Sequence, residues 1–159
     1  KDAEITGVEA ALDIALRAWH SALEHFTGSL TASWADGEDT STGTPINSMD
    51  PPRGMLGLRY DAPTGTFGVS LELTIVAAKH GVDESSGPLF RPEGHEVLDL
   101  RLQWRPHPRL TASVGLFNLG DSAYHEWSAV RGLAPTDPLL PLYREPGRNF
   151  AVTVTATLD

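Results

Sequence analysis

One pattern runs through this chain almost from end to end: apolar residues recur at every second position. Val8, Ala10, Leu12, Ile14 and Leu16 begin it, and Phe26, Gly28, Leu30, Ala32 and Trp34 repeat it. It returns at Leu56, Leu58 and Tyr60, then at Phe67, Val69, Leu71, Leu73 and Ile75. The later runs are Leu98 to Trp104, Leu110 to Leu116 and Phe150 to Leu158. A period of two is the repeat of a pleated strand, whose successive side chains point to opposite faces. The pattern predicts about seven strands, most about ten residues long, each with one apolar and one polar face. Two architectures satisfy it. In a soluble sandwich or small barrel the apolar face is the core. In a transmembrane barrel the apolar face meets lipid and the polar face lines the lumen.

Two further features favour the membrane. Aromatic residues fall near the predicted strand ends: Trp19, Phe26, Trp34, Tyr60, Phe67, Trp104 and Phe150. Rings of mixed polarity settle at the headgroup level, so this placement reads as an aromatic girdle. Connection lengths also alternate. Short links are predicted at 18–25, 62–66 and 106–109, and long ones at 36–52, 78–95 and 120–147. Short turns at one end and long loops at the other are the outer-membrane pattern. No run of 18 apolar residues exists, which excludes a transmembrane helix.

Residues 8–26 fit a second template. Val8, Ala11, Leu12, Ala15, Leu16, Trp19, Leu23 and Phe26 also lie on one helical face, with Gly28 as a C-cap. Local propensity leaves strand and helix open; the neighbouring strands favour strand.

The net charge of −9 argues against a nucleic-acid partner, which requires a basic face. With no cysteine there is no disulfide framework, thiolate metal site or cysteine nucleophile. No Gly-x-Ser-x-Gly elbow or His-x3-His spacing occurs, so the expectation is a non-enzyme. The charged start at Lys1 lacks the apolar stretch of a signal peptide, so an exported chain of this kind is expected to be a processed product or a fragment.

The last third carries a resemblance. Trp104-Arg105-Pro106 leads to Gly115-Leu116-Phe117-Asn118-Leu119-Gly120-Asp121, then Tyr124 and Trp127-Ser128. Val130-Arg131-Gly132-Leu133 and Pro146-Gly147-Arg148-Asn149-Phe150 follow. In this order they resemble the C-terminal end of TonB-dependent outer-membrane receptors, in the haem and haemoglobin receptor branch. Ile5-Thr6-Gly7-Val8-Glu9 and Thr44-Pro45-Ile46-Asn47-Ser48 are similar to that branch as well. The resemblance implies an all-β antiparallel transmembrane β-barrel segment, about seven strands of a barrel of about 22 whose lumen holds a plug. It implies a C-terminal portion, residues 1–159, beginning outside the cell and ending in the periplasm. Family barrels end on an aromatic; Leu158 and Asp159 depart from that. The implied function is uptake of haem or haemoglobin-derived iron, with a siderophore as the alternative cargo. The implied partners are outer-membrane lipid, the chain's own plug and remaining strands, the TonB energy complex, and haem or a haem-carrier protein.

Candidate sites follow. Haem takes axial ligands such as His or Tyr. His80, His95 and His125 fall on or beside the long loops, as do Tyr124 and Tyr143, and the reading that carries more weight for each is a solvated or interfacial role. The family's ligand histidines lie in segments this chain does not contain, so no haem ligand is carried over. His20, His25 and His107 are expected at solvated short turns. Trp127, Arg131, Gly132, Pro146, Gly147, Arg148, Asn149 and Phe150 are read as structural motif residues, with Arg131 and Arg148 expected to order the last loop by bonding its carbonyls. Glu9, Asp13, Arg17, Arg59, Glu72, Asp99, Arg101 and Arg105 are expected on the polar face as cross-strand partners.

Overall fold

In the computed structural model, which describes residues 2–158, the chain forms one antiparallel sheet. Its strands are β1 (Ala3–Ala15), β2 (Phe26–Asp39), β3 (Thr44–Pro45), β4 (Arg53–Asp61), β5 (Phe67–Val76), β6 (His95–His107), β7 (Leu110–Phe117) and β8 (Asn149–Ala156). The spatial order is β1-β2-β4-β5-β6-β7-β8, and the two-residue β3 pairs with β2 beside this path. The path thus holds the strands expected from the alternation. Neighbours in sequence are neighbours in space, so the topology is a meander. Lys1 and Asp159, on which the reading of the chain's start and finish rested, lie outside the described residues.

The register converts the sequence alternation into continuous rows. One row runs Ile14, Gly28, Leu58, Leu71, Leu100, Leu116 and Phe150 across the whole path. The next runs Leu12, Leu30, Leu56, Leu73 and Leu98. Since a slip of one residue would turn a strand's apolar set to the other face, this shared parity holds the register. At the short-turn end Phe26 pairs with Tyr60, with ring centroids 5.0 Å apart, and Phe67 pairs with Trp104. Trp34 and Phe150 occupy the long-loop end of the same face.

The opposite face carries the charges. Asp13, Ser29, Gly57, Glu72 and Asp99 form one row, and Thr27, Arg59, Ser70, Arg101 and Gly115 the next. Arg101 reaches both Glu72 and Asp99 at 3.6 Å, and Arg59 holds Asp61 at 2.7 Å. The Arg101 guanidinium also lies 5.6 Å from the centre of the Phe117 ring. That ring lies over Gly115, where an added Cβ would come within 2.4 Å of it.

Two expectations need correction. The strand template wins only as far as Ala15; residues 16–25 then turn through two short 3₁₀ segments, Leu16–Ala18 and Ser21–Leu23. The helical signal there is real but lasts single turns, because both flanking strands pair along 13 positions from Ala3↔Asp39 to Ala15↔Thr27. Arg17 consequently belongs to this turn and not to the charged face.

A soluble sandwich buries its apolar face under a second layer. Here the apolar face stays uncovered: Val8, Leu12, Leu30, Leu56, Leu58, Leu71, Ile75, Val152 and Val154 all stand exposed. Among the described residues the buried apolar side chains are Val76, Trp127, Val130 and Leu140, all at the long-loop end.

Candidate functional site

Among the described residues one packed apolar cluster forms, where the long loops meet. The connection from β7 to β8 folds over the polar face of the sheet and carries a four-residue helix, α1 (Trp127–Val130), and a 3₁₀ turn (Leu140–Tyr143). Trp127, Val130 and Leu140 form its core, with Val82, Phe90 and Leu133 packed around them. Trp127 is 1% exposed, and its indole N–H donates to the Asn47 carbonyl at 2.9 Å. The Lys79 ammonium lies 5.3 Å from the indole centre and donates to the Met49 carbonyl at 2.9 Å. Burial pushes this ammonium below its ordinary pKa, against the pull of Asp36 and Asp50. Asn47 and Asp83 exchange a reciprocal pair of bonds, at 2.9 and 2.7 Å, that ties two long loops together. The Phe90 N–H donates to the Leu133 carbonyl at 2.8 Å and brings in the third. Three separate connections therefore close into one cap around a single indole.

The exit from β7 is a second junction. Asn118 and Asp121 adopt φ of 51° and 54°, the left-handed region that Asn and Asp tolerate and that the Asn-Leu-Gly-Asp run suggested. Asn118 is buried, and its side-chain amide donates to the carbonyls of Ser122 and Pro146 at 2.9 and 3.1 Å. Its Oδ1 accepts the Ser122 N–H at 2.9 Å, and its own N–H donates to Asp99 at 2.9 Å. Every polar group of a buried Asn is thus used, and the two ends of the loop are held together.

The motif residues fall on this frame. Trp127 is its anchor, and Gly132 takes a φ of 92° just past Arg131, the residue that ends α1. Pro146 supplies the carbonyl to Asn118. A Cβ at Gly147 would sit 2.6 Å from Asp121 Oδ1, the oxygen that accepts the Arg148 N–H at 2.8 Å. The Asn149 side chain donates to the Gly147 carbonyl at 2.9 Å, and Phe150 returns to the apolar face. Arg131 and Arg148 order the loop through the main chain: the Arg131 N–H donates to the Trp127 carbonyl at 2.8 Å. Among the described residues neither guanidinium bonds a loop carbonyl, which corrects the expectation for those two side chains.

The candidate haem contacts separate. His80 is exposed on the loop after β5. His95, first residue of β6, stacks on Tyr124 with centroids 4.1 Å apart. Its side chain is 6% exposed; Glu126 stands 3.7 Å away, beyond hydrogen-bond reach, and among the described residues neither ring nitrogen has a hydrogen-bond partner. Glu126 instead pairs with Arg53 at 3.1 Å. His125 Nε2 meets the Leu140 carbonyl at 3.0 Å, and the ring packs edge-on to Phe90. Tyr124 and His125 line a recess of about 300 Å³ with Phe90, Arg91, Glu93 and Gly94. Burial pushes the Tyr124 phenol above its ordinary pKa, helped by Glu145, Glu126 and Asp99. Tyr143 is exposed at the tip of the loop. The structure therefore stacks His95 on Tyr124 and sets Tyr124 and His125 on one recess, but leaves His80 apart. Of the short-turn histidines, His20 caps the second 3₁₀ turn by accepting the Ala22 N–H at 3.1 Å. Among the described residues no cluster of acidic groups and histidines suits a metal ion.

Sequence reasoning did not find Asn47, Lys79 and Arg53 as cap residues. Asn47 and Lys79 lie 80 and 48 positions before Trp127, and Arg53 lies 73 before Glu126, and no local pattern marks a contact made by loop closure.

Residues 1–119 match the family described as TonB dependent receptor-like, beta-barrel. The chain belongs to that family. Its members are receptors of the outer membrane that pair a plug with a barrel, which fits the meander, the uncovered apolar face and the unequal loops. Among curated relatives, a probable haemoglobin and haemoglobin-haptoglobin-binding protein 4 of Haemophilus influenzae is 24% identical across 98% of this chain and 18% of its own length. A haemoglobin and haemoglobin-haptoglobin-binding protein of Haemophilus ducreyi is 27% identical across 72% of this chain and 14% of its own. The chain thus spans less than a fifth of these relatives. A solved structure described as the copper transporter OprC superposes with a TM-score of 0.81 at 20% identity, covering 98% of this chain and 24% of that one. That likeness concerns the fold alone.

Proposed function

We propose that this TonB-dependent receptor segment forms outer-membrane barrel wall and external capture loops in a receptor for haem or haemoglobin-derived iron. The observation that carries the reading is the continuous, uncovered apolar face across the whole sheet, backed by a charged face and crowned at one end by a packed loop cap. Lipid is the solvent such a face requires, because an apolar surface of this extent in water drives association. The charged face would then line the lumen and meet the plug, and the cap would face the outside. The segment performs no bond-making chemistry; it positions cargo for passage that the plug and the TonB complex energise. Names of the relatives support haem as the cargo. Exposed His80 and the Tyr124–His125 recess are where this segment would touch it.

The test uses the full receptor in a Gram-negative host unable to make haem. Growth on haemin that depends on TonB supports the reading. Growth absent on haemin and present on a ferric siderophore transfers the cargo to the alternative. In reconstituted receptor, quenching of Trp34 and Trp104 fluorescence by lipids brominated near the headgroup tests the wall assignment; no quenching would overturn it.

A further inference from the structure

Where the wall meets the loop cap, one polar side chain is buried without a hydrogen-bond partner among the described residues. His95 opens β6, and its side chain is 6% exposed. Both ring nitrogens are closed off from solvent. The ring is therefore not placed to ligate an iron, and its role lies in how the protein packs. The register sets it in a row with Ser33, Arg53 and Val76 on the polar face. Two residues of the β7–β8 loop come down on this row. Tyr124 stacks on the imidazole with centroids 4.1 Å apart and planes 22° from parallel. Glu126 Oε1 accepts from Arg53 Nη2 at 3.1 Å and stands 3.7 Å from His95 Nε2.

The same two loop residues hold the cap. The Glu126 carbonyl accepts the Ala129 and Val130 N–H groups, at 3.1 and 3.3 Å, at the start of α1. The Tyr124 carbonyl accepts the Glu145 N–H at 3.0 Å, which ties the outgoing leg of the loop to its return. Trp127, the buried anchor, follows Glu126 directly. A displacement of Tyr124 and Glu126 from His95 thus reaches the cap core through the main chain.

Histidine changes charge near neutral pH, and the surroundings of His95 suit its neutral form. The groups that face it are Arg53 from β4, Glu126 and Tyr124 from the loop, and the Glu93 backbone just before β6; Val76, its partner on β5, brings no charge. Stacked on a phenol and shut away from water, the neutral ring is accommodated. A charged ring would lose its hydration, and Arg53 would repel it. Among the described residues the one carboxylate beside it, Glu126, already serves Arg53. A cation added here sets two positive groups on one carboxylate in a place without water. With the loop lifted, the same cation is hydrated. Acid therefore favours the lifted state.

We propose that His95, Tyr124 and Glu126 form an acid-sensitive latch, which holds the loop cap on the barrel wall while the imidazole is neutral and releases it when the imidazole takes a proton. The latch is independent of the cargo. Hydrogen exchange on the full receptor in detergent micelles, with rates corrected for the intrinsic effect of pH, tests it. The Phe90, Arg131 and Leu133 amides report on the cap, and Leu71 and Leu100 on the wall. From about pH 7.5 to about pH 5.5, cap protection is expected to fall by about fivefold to tenfold, the range that one histidine of ordinary pKa in the lifted state allows. Wall protection is expected to stay constant. Glu84, whose pKa is held below the ordinary carboxylate value, keeps its charge over this range. In His95→Phe, which keeps a ring that takes no proton, the fall is expected to vanish. His95→Gln, uncharged at both pH values, makes the same test where the Phe variant alters the cap at the higher pH. Wild-type cap protection that is equal at both pH values, or higher in acid, overturns the latch. A fall that persists in both variants assigns the titration to another group, such as His125 beside Phe90, and overturns it as well. So does an equal fall at Leu71 and Leu100, because acid would then be loosening the barrel and not the cap.

Discussion

Replacing Trp127 tests whether the loop cap is a separate cooperative unit resting on one indole. Trp127→Ala removes a side chain that is 1% exposed, from a core whose other buried members are Val130 and Leu140. Burial and cavity effects at such a site cost about 3–5 kcal/mol. That sum includes about 1 kcal/mol for the bond to the Asn47 carbonyl, which would be left without its donor. A core of this size holds little more than that, so the cap should open while the sheet keeps its ladders. Hydrogen exchange on the full receptor in detergent would measure this. The amides of Phe90, Arg131 and Leu133, bonded to Leu133, Trp127 and Val130 carbonyls, should lose protection by about 100-fold or more. The Leu71 and Leu100 amides, inside the β5–β6 ladder, should not change. Trp127→Phe keeps an aromatic ring of smaller size and loses the N–H donor, so a smaller loss, about tenfold, is expected. Unchanged exchange at Phe90 and Leu133 in the Ala variant would refute the anchoring role. Equal loss at Leu71 and Leu100 would refute the separation of cap from wall.

Other consequences are as direct. Leu71→Arg, in the middle of the long apolar row, should destabilise the barrel in lipid vesicles by about 2–4 kcal/mol, while Ser70→Arg on the opposite face should be tolerated; similar urea midpoints for the two would count against the lipid-facing assignment. His95→Phe replaces a buried ring whose nitrogens have no hydrogen-bond partner among the described residues, so stability at pH 8 should hold or rise by about 1 kcal/mol; a clear fall would show that the imidazole has such a partner in the working receptor. Glu84 accepts the Leu89 N–H at 3.0 Å and pairs with Arg91, and these bonds, the backbone one foremost, hold its pKa below the ordinary carboxylate value. A carboxyl depressed on folding stabilises the loop fully above the ordinary range and loses that contribution as pH falls through the lowered value. Protection of the Leu89 amide should therefore decline on acidification, and Glu84→Gln should remove the pH dependence; an identical profile in the variant would sink this account.

The wall was legible from the chain because its cause is local. A pleated strand between lipid and a polar lumen demands alternation at each position, so Leu56 and Leu58 or Leu71 and Leu73 declare their face without reference to any partner. The turn signals at 62–66 and the αL-tolerant Asn118 and Asp121 were legible for the same reason. Residues 16–25 were ambiguous because single 3₁₀ turns and a longer helix share the same i to i+3 spacing, and only the pairing of β1 with β2 chose between them.

The alternation of apolar residues, then, was enough by itself to determine strands with one apolar and one polar face, whereas their register and the uncovered state of the apolar face came from the tertiary structure. The loop cap was decided by tertiary structure alone. Asn47, Lys79, Asp83, Phe90 and Trp127 meet because three long connections leave neighbouring strand ends and have the same space to fill. Closing such loops joins residues far apart in the chain, and no periodicity encodes which of them will touch. The exposed Leu139, Leu142 and Tyr143 follow the same rule: in sequence they belong to a proline-containing apolar stretch, and only the burial of Leu140 shows which of its neighbours are left facing outward.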